Sequence, residues 1–370
     1  RHGKQTFMHH NATPANITSE APLKKICLMR LSAIGDVCHA VAMVTRIRHM
    51  WPQTQITWVI GKIEYQLVKG LAGVRFVVCD KKSKNARAQL KRDLAQEEFD
   101  ALLVMQIALR ANWLSSVIKA KRRIGFDWSR SKEGHSLFIN ERIQAIGNAH
   151  VLEGFMQFAD ALGVPPAPLS WDMPIEPSDE MWVQEKIAHL GKYVVVAPTA
   201  SKAMRNWTPE GYTEVISNLH KKGVPTVLCG GPGPLDKTMQ AALHDLNAPI
   251  ALDLVGQTTL KQMLVVLRQA RCVIAPDTGP AHMAVTQGTP VIGLYGHSNP
   301  ARTGPFLFQS DVVEVYHKHL LAQTGKTSEQ VVWGKRVKGE HVMADISVEV
   351  VLLRVQELLE KMPEIQPQTA

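Results

Sequence analysis

The chain has 370 residues, of which 45% are hydrophobic and 20% are charged, and its formal net charge is +9. This composition is typical of a soluble globular protein with room for two domains, and the lack of any stretch of about 18 uncharged apolar residues argues against a membrane-spanning helix. The charge is uneven, because positions 24–170 hold 22 basic and 12 acidic residues. We therefore expect an anionic partner for this half, with a merely solvated basic surface as the alternative.

In chain order, the first 22 residues form a polar tail without the apolar segment of a signal peptide, and we expect this tail to be disordered. Apolar strands and helical segments then alternate up to an amphipathic helix, Val151–Leu162. This alternation predicts a parallel sheet with helices on both faces. The predicted strands are KKICLMRL (24–31), ITWVI (56–60), VRFVVC (74–79) and ALLVMQ (101–106).

A proline-rich segment, Val164–Pro177, predicts a linker, after which the alternation begins again. The second set of predicted strands is YVVVAP (193–198), VPTVLCG (224–230), PIALDL (249–254), RCVIAP (271–276) and PVIGLYG (290–296). We predict two Rossmann-like α/β domains that face a cleft, covering residues 23–177 and 178–347. A last predicted helix, Val348–Lys361, is expected to pack back on the first domain.

The motif DTGPAH, at positions 277–282, lies between two of these strands. The turn and the short helix after it belong at the carboxyl edge of a parallel sheet, where ligands bind. The first turn of such a helix offers unpaired N–H groups and a positive dipole to a phosphate. Asp277, Thr278, Gly279 and His282 therefore lie where a nucleotide diphosphate would bind. On these residues alone, a simple N-cap explains the motif equally well.

A second candidate is Asp36, which follows the first strand through the turn SAIGD and stands at the start of a helix. A carboxylate at this edge can accept a proton from an attacking hydroxyl group. The helix N-terminus stabilises the ionised carboxylate and makes it a weak base, so it would act only in a concerted transfer. The alternative is an N-cap without chemistry.

Two loops of the second half carry further candidates. In APTASKAMRNW, positions 197–207, Thr199, Ser201 and Arg205 can bind phosphate through hydroxyl, backbone and guanidinium contacts, unless the loop is simply exposed to solvent. In GGPGPLD, positions 230–236, the glycines allow close approach of a ligand, and Asp236 can accept hydrogen bonds from ribose hydroxyls. The second loop does not match GxGxxG, so binding of NAD is weakly supported.

Several motifs are absent from the sequence. There is no P-loop, no GxSxG and no DxD metal clamp, and the pair His317 and His319 has no partners at metal-binding spacing. We therefore expect a mechanism without a metal or another cofactor. The five cysteines form no CxxC pair and lie mostly in apolar segments, which favours free buried thiols in a reducing compartment.

Taken together, these motifs resemble those of glycosyltransferase family 9, the lipopolysaccharide heptosyltransferases, from position 24 to about position 359. The resemblance rests on RLSAIGDV, the loop that ends in RNW, GGP, and DTGPAH followed by PVIGLYG, in this order. It implies the two-lobed GT-B fold. It also implies inverting transfer of L-glycero-D-manno-heptose from ADP-heptose to the Kdo–lipid A inner core, with transfer of a later core sugar or silent nucleotide-sugar binding as alternatives.

The resemblance also implies roles for the candidate residues. Asp36 falls on the aspartate that the family is proposed to use as base, and Asp277, Thr278, Gly279 and His282 fall on the turn that holds the donor diphosphate. Arg205 stands where the family often has a lysine, which keeps the charge and changes its geometry. Asp236 stands near the position where some members bind the nucleoside with a glutamate one carbon longer.

The implied acceptor carries carboxylates and phosphates and lies in an anionic leaflet, which gives the basic first half a role. Five basic residues are the candidates for contact with the acceptor: Lys121, Arg122, Arg123, Arg130 and Lys132. The expected location is cytoplasmic, peripheral on the cytoplasmic face of the inner membrane, and no nucleic-acid partner is expected.

Overall fold

The structure is a computed structural model, and it describes residues 21–132 and 134–361 of the chain. Positions 1–20 of the predicted tail therefore lie outside the described residues. The rest of the chain alternates between strands and helices in two lobes, as predicted. Among the described helices, none has the length and apolar character needed to cross a bilayer.

The first lobe is built on a parallel sheet of six strands. These are β1 (Lys25–Met29), β2 (Gln55–Ile60), β3 (Val74–Val78), β4 (Phe99–Val104), β5 (Ala120–Gly125) and β6 (Glu141–Arg142). Their spatial order is β3-β2-β1-β4-β5-β6, and every neighbouring pair is parallel. The helices of this lobe are α1 (Ile34–Met50), α2 (Lys62–Val68), α3 (Ala86–Asp93), α4 (Leu109–Ser115) and α5 (Val151–Leu162).

The second lobe repeats this plan. Its strands are β7 (Val194–Val196), β8 (Thr226–Leu228), β9 (Leu252–Asp253), β10 (Val273–Pro276), β11 (Val291–Tyr295) and β12 (Val313–Glu314), in the spatial order β12-β11-β10-β7-β8-β9. Its helices are α6 (Pro177–Ile187), α7 (Pro209–Lys221), α8 (Pro234–Asp245), α9 (Leu260–Gln269), α10 (Gly279–Thr286), α11 (Pro300–Thr303), α12 (Tyr316–Thr324) and α13 (Val348–Lys361). Both sheets have the strand order of a Rossmann fold, which confirms the predicted class.

The switch points of the two sheets decide where a ligand can bind. In each sheet the chain starts in the middle, runs to one edge, returns to the middle and then continues to the other edge. A crevice therefore opens between β1 and β4 in the first sheet and between β7 and β10 in the second. The helices that follow β1 and β10 meet at their N-termini. A Cβ atom built at Gly279 would lie 3.0 Å from a methyl group of Ile34, and one at Gly35 would lie 2.6 Å from the His282 ring. The two crevices therefore form one cleft.

Helix α1 joins the lobes beneath this cleft. All its residues from Val37 to Ile47 are buried, because the helix packs against α5 on one side and α10 on the other. The hydrophobic core of the first lobe consequently continues into the second through residues such as Val41 and Val285. The proline-rich linker is fixed to the same helix, since Trp171 donates a hydrogen bond to the Cys38 carbonyl at 3.1 Å.

The position of α13 corrects one expectation. The helix does not pack back on the first lobe, because Val351 and Val355 are buried in the core of the second lobe and the helix contacts α7 and β11. The reason lies just before the helix, where the Ile346 carbonyl accepts a hydrogen bond of 3.2 Å from the buried Trp207 indole. Helix α13 begins two residues later, and a linker of this length is too short to carry the helix across to the first lobe.

Candidate active site

The cleft between the lobes encloses about 980 Å³ and is lined by residues of both. This volume is in the range of pockets that bury a nucleotide-sized ligand. Eleven of the residues predicted from the sequence line this cavity: Asp36, Arg130, Lys132, Thr199, Ser201, Arg205, Asp236, Asp277, Thr278, Gly279 and His282. The structure thus brings together side chains from both halves of the chain.

Asp36 lies in the first turn of α1 at the floor of the first-lobe crevice. Its Oδ2 accepts a hydrogen bond of 2.7 Å from Nη2 of Arg30. The same guanidinium is fixed from behind, because Nε donates to the Ser32 carbonyl and Nη1 to the Met105 carbonyl, each at 2.7 Å. Within the described part of the chain Oδ1 of Asp36 has no partner, so one oxygen is held and the other faces the cleft.

The DTGPAH turn begins α10 directly opposite. Thr278 is the N-cap, and its Oγ1 accepts a hydrogen bond of 3.3 Å from the Ala281 N–H. The N-cap interpretation is therefore correct, and it is compatible with ligand binding, because the N–H groups of the first turn still point toward the cleft. Gly279 has to be small here, since Ile34 occupies the space that a side chain would need.

Asp277 interacts with polar and charged groups on the second-lobe side of the cleft. Its Oδ1 accepts a hydrogen bond of 3.3 Å from Nε2 of His282, and Arg205 lies close enough for a charge interaction. Burial alone would raise the pKa of Asp277, but His282 and Arg205 hold this pKa below its ordinary value. The carboxylate therefore stays charged and orients both the His282 ring and the Arg205 guanidinium.

Asp236 has a structural contact that the sequence did not predict. Its Oδ1 accepts a hydrogen bond of 3.1 Å from the Gly231 N–H, so the carboxylate closes the glycine turn of its own loop. Burial raises the pKa of Asp236, and the backbone N–H groups of the turn oppose this change. In the neighbouring loop the Asn206 side chain accepts from the Ala200 N–H at 2.7 Å, which fixes the segment that carries Thr199 and Ser201.

The five basic residues proposed for the acceptor are separated by the structure. Arg130 and Lys132 line the cleft, whereas Lys121, Arg122 and Arg123 do not. The guanidinium of Arg123 donates to the carbonyls of Phe138, Ile118 and Ser115 at 2.8, 2.7 and 3.0 Å. The other two basic residues lie beside acidic ones. Arg122 forms a two-pronged ion pair with Glu141, and the exposed Lys121 lies 3.9 Å from Asp100. These three residues therefore lie outside the cleft, and their contact with the acceptor stays a prediction.

Other residues of the cleft were missed. Two of them, His39 and His150, form a cluster with the predicted His282, in which the His39 ring lies 4.8 Å from His282 and 5.3 Å from His150, centroid to centroid. Burial and the two neighbouring rings lower the pKa of His39 well below its ordinary value, and burial lowers the pKa of His150 to about 4. The remaining missed residues are three arginines of the lining: Arg30, Arg302 and Arg336.

A sequence signal existed for some of these residues. Arg30 directly follows β1 and Arg302 follows β11 after a short loop, so both stand beyond the carboxyl ends of strands, where a site is expected. His39 and His150 gave no such signal, because only the tertiary packing brings α1, α5 and α10 together.

This arrangement can be compared with known proteins. The family model of glycosyltransferase family 9 (heptosyltransferase) matches residues 87–332. The chain belongs to glycosyltransferase family 9. It is 40% identical to the lipopolysaccharide core heptosyltransferase OpsX of Haemophilus influenzae over 341 residues, which is 92% of this chain and 98% of that protein.

Two solved structures support the fold of this family 9 chain. A family 9 glycosyltransferase from Veillonella parvula superposes with a TM-score of 0.78 at 20% identity, covering 93% of this chain and 99% of that chain. The E. coli heptosyltransferase WaaC with ADP superposes with a TM-score of 0.68 at 18% identity, covering 90% and 99%. The predicted two-lobed GT-B fold is therefore confirmed, and the enzyme is a glycosyltransferase of the heptosyltransferase family.

Proposed function

We propose that this enzyme acts in the synthesis of the lipopolysaccharide core and transfers L-glycero-D-manno-heptose from ADP-heptose to Kdo–lipid A with inversion. One observation carries the proposal: the half-engaged carboxylate of Asp36 faces the N-terminus of α10 across a single cleft. The names of the relatives support the sugar, since the chain matches a lipopolysaccharide core heptosyltransferase over nearly its whole length. The structure of WaaC contains ADP, which supports an ADP-linked donor.

In the proposed reaction an acceptor hydroxyl attacks the anomeric carbon of the donor heptose. Asp36 accepts the hydroxyl proton through the oxygen that Arg30 leaves open, while the new C–O bond forms. The bond between the anomeric carbon and the diphosphate breaks, and its electron pair remains on the leaving phosphate oxygen. One displacement of this kind inverts the configuration at the anomeric carbon. Since the proton leaves as the bond forms, a weakly basic carboxylate is sufficient.

The charge on the leaving ADP is balanced by the second lobe. We propose that the first turn of α10, with Thr278 and Gly279, and the side chains of Arg205 and His282 bind the diphosphate. Thr199 and Ser201 would add hydroxyl contacts from the neighbouring loop. Asp236 would act on the nucleoside through the glycine turn that it closes. These groups supply the positive charge in the donor site, so the proposed mechanism needs no metal ion.

The test is release of ADP from ADP-heptose, measured with and without deacylated Kdo–lipid A, for the native chain and Asp36→Asn. We expect release that depends on the acceptor and falls by about 10²–10⁴-fold in the variant, the usual effect of losing a general base. Binding of ADP-heptose should remain, because Asp36 lies on the opposite side of the cleft. Unchanged turnover in Asp36→Asn would refute the role of the base, and no release with any core acceptor would refute the transfer.

Whether the enzyme adds the first heptose or a later one is tested by comparing acceptors with and without a heptose. We propose that Kdo itself accepts the heptose, because Arg130 and Lys132 provide positive charge for a sugar acid on the first-lobe side of the cleft. An acceptor that carries Kdo alone should be used, and an acceptor that already bears one heptose should be used poorly. The reverse preference would assign the protein to a later step of the same core.

We also propose that the first lobe rests on an anionic membrane surface at the cytoplasmic face of the inner membrane. Four large apolar side chains of this lobe are strongly exposed: Leu109 (54%), Trp113 (47%), Trp128 (74%) and Leu137 (84%). The chain between positions 24 and 170 has ten more basic than acidic residues, 22 against 12. Exposed tryptophan and leucine beside basic residues are typical of proteins that bind at the surface of an anionic bilayer.

These apolar side chains form one continuous strip. The guanidinium of Arg142 lies 3.4 Å from the centroid of the Trp128 ring and donates to Ser136, the neighbour of Leu137. A Cβ atom at position 134 would contact both Leu137 and Leu109, and Trp113 follows Leu109 by one turn of α4. The strip borders the cleft, because Arg130 and Lys132 belong to the same loop.

Sedimentation with vesicles tests this contact. The double variant Trp128→Ser/Leu137→Ser should bind vesicles that contain phosphatidylglycerol at least about tenfold more weakly, since each buried side chain contributes about 1.5–3 kcal/mol. Leu321→Ser, at an exposed apolar position of the second lobe (55%), is the control and should bind normally. Equal loss in both variants, or binding to neutral vesicles of the same strength, would contradict the assignment.

A further inference from the structure

Besides Arg30 and Arg205, three arginines line the cleft, and only one of them, Arg130, has a role in the proposed function. Arg302, in α11, and Arg336 come from the second lobe, and Arg130 comes from the first. The side chain of Arg302 runs over Gly334, where a Cβ atom would lie 3.0 Å from its Nε. Arg130 runs in the same way over Gly154, where a Cβ atom would lie 2.5 Å from its Nη1. Each glycine thus leaves space for a guanidinium group.

Two hydrogen bonds between the lobes bring these arginines together. Nε2 of His150 donates to the Gly304 carbonyl at 2.7 Å, and the Trp333 indole donates to the Ala149 carbonyl at 2.8 Å. Gly154 lies one turn after His150 on α5, Arg302 precedes Gly304 by two residues, and Gly334 follows Trp333. The segments that carry Arg130 and Arg302 are therefore joined at the same end of the cleft.

The charges at this end are only partly balanced by the described protein groups, because Arg130 alone of the three lies beside a carboxylate, with its Nε 3.6 Å from Oδ1 of Asp127. Within residues 21–132 and 134–361, the guanidinium groups of Arg302 and Arg336 make no hydrogen bond or ion pair. Burial lowers the pKa of Arg302, and the charges of Arg336 and Arg130 lower this pKa further, against the opposite effect of Asp36 and Asp277. Arg302 and Arg336, which line the cleft without a hydrogen-bonded or ion-paired partner among the described protein groups, therefore provide a binding place for an anion of the substrate.

The position of Arg302 indicates which substrate provides this anion. Arg302 lines the same cavity as Asp36, the proposed base. The donor diphosphate already has the first turn of α10 and Arg205. An anion between Arg302 and Arg130 would therefore lie beside the attacking hydroxyl, on the acceptor.

We propose that Arg302 and Arg130 form a carboxylate-binding subsite for a sugar-acid acceptor, in which the second lobe takes part in acceptor recognition. This inference rests on the proposed function. The planar guanidinium fork of Arg302 binds the acceptor carboxylate with two parallel hydrogen bonds and so places the acceptor hydroxyl against Oδ1 of Asp36. Arg336 lines the same cavity and contributes positive charge near both Arg302 and Arg205. Acceptor binding would then require both lobes, whereas the sequence suggested the first lobe alone.

The test compares two acceptors, deacylated Kdo–lipid A with free sugar carboxylates and the same compound with these carboxylates as methyl esters. For the native protein the ester should have the higher KM. For Arg302→Gln the KM of the free acid should rise about 10–100-fold, the usual effect of losing a charged hydrogen bond, whereas the KM of the ester should stay within about twofold of the native value. The KM of ADP-heptose should not change.

Two further variants make the result specific. Arg302→Lys keeps the positive charge but lacks the planar guanidinium fork, so its KM for the free acid should lie between those of the native protein and Arg302→Gln. An intermediate KM would also show that the effect of Arg302→Gln does not come from misfolding. Arg268→Gln removes an arginine of the second lobe outside the cleft, paired with Glu180, and should behave as the native protein.

A KM that rises equally for the acid and the ester, or a rise in the KM of ADP-heptose in place of the acceptor, would overturn the subsite while leaving the transfer reaction intact. Failure of the native protein to use either acceptor would overturn the proposed function, and the subsite with it.

Discussion

Arg30 should control the rate of the reaction by fixing Asp36, and Arg30→Lys tests this dependence. The arginine makes three hydrogen bonds of 2.7 Å, to the Ser32 carbonyl, the Met105 carbonyl and Asp36, and its side chain is only 14% exposed. A lysine keeps the charge but cannot make three bonds in one plane. Loss of one charge-assisted bond is worth about 1.5–3 kcal/mol, which corresponds to a fall in kcat of about 10–100-fold if the whole effect reaches the transition state.

Arg46→Lys is the matched control. Arg46 lies on the same first-lobe framework, in α1, and its guanidinium also bonds two carbonyls and one carboxylate, those of Pro165, Val164 and Asp160. It does not line the cleft. Steady-state kinetics and thermal unfolding of both variants separate the two effects. We expect both to unfold a few degrees earlier, and only Arg30→Lys to lose kcat, with the KM of ADP-heptose nearly unchanged. An unchanged kcat in Arg30→Lys, or an equal loss in both, would refute the reasoning.

Three other predictions concern acid stability, thiols and metals. Burial lowers the pKa of His150 from 6.5 to about 4, so the imidazole takes up a proton more readily in the unfolded chain than in the folded one. The free energy of unfolding should therefore fall by up to about 3 kcal/mol as the pH drops from 6.5 to about 4. His150→Asn keeps an N-cap residue, and its urea unfolding should show a smaller fall over the same pH interval. All five cysteines are free and buried, so a thiol reagent should label them readily only after unfolding, and rapid labelling of the native protein would contradict their burial. In the proposed mechanism the first turn of α10 and Arg205 balance the charge of the diphosphate, so EDTA should leave turnover unchanged. Activity restored by Mg²⁺ after chelation would refute the metal-free mechanism.

The sequence was sufficient to predict the site residues that follow parallel strands. Asp36 and the turn at Asp277 each come directly after a buried strand, and the carboxyl ends of such strands necessarily share an edge of the sheet. The same rule could not predict how the two edges face each other. That depends on α1, whose burial on all sides reflects long-range packing against α5 and α10.

What the sequence could not predict also has physical causes. Lys121, Arg122 and Arg123 were grouped by their charge, but the charge of a side chain does not show what it contacts, and Arg123 is directed at carbonyl groups near the end of α4. The last helix was misplaced because its position depends on one bond between Trp207 and Ile346, residues 139 positions apart. Strand β12 has only two residues, too few for any periodicity to be visible.

The measurement that tests the central claim most directly is the structure of the product formed from ADP-heptose and deacylated Kdo–lipid A. We predict that a single heptose is attached to Kdo, and that its anomeric configuration, determined by NMR, is opposite to that of the donor. Retention of the donor configuration would contradict direct displacement by a hydroxyl group that Asp36 activates. Formation of product only from an acceptor that already bears heptose would contradict the proposed acceptor.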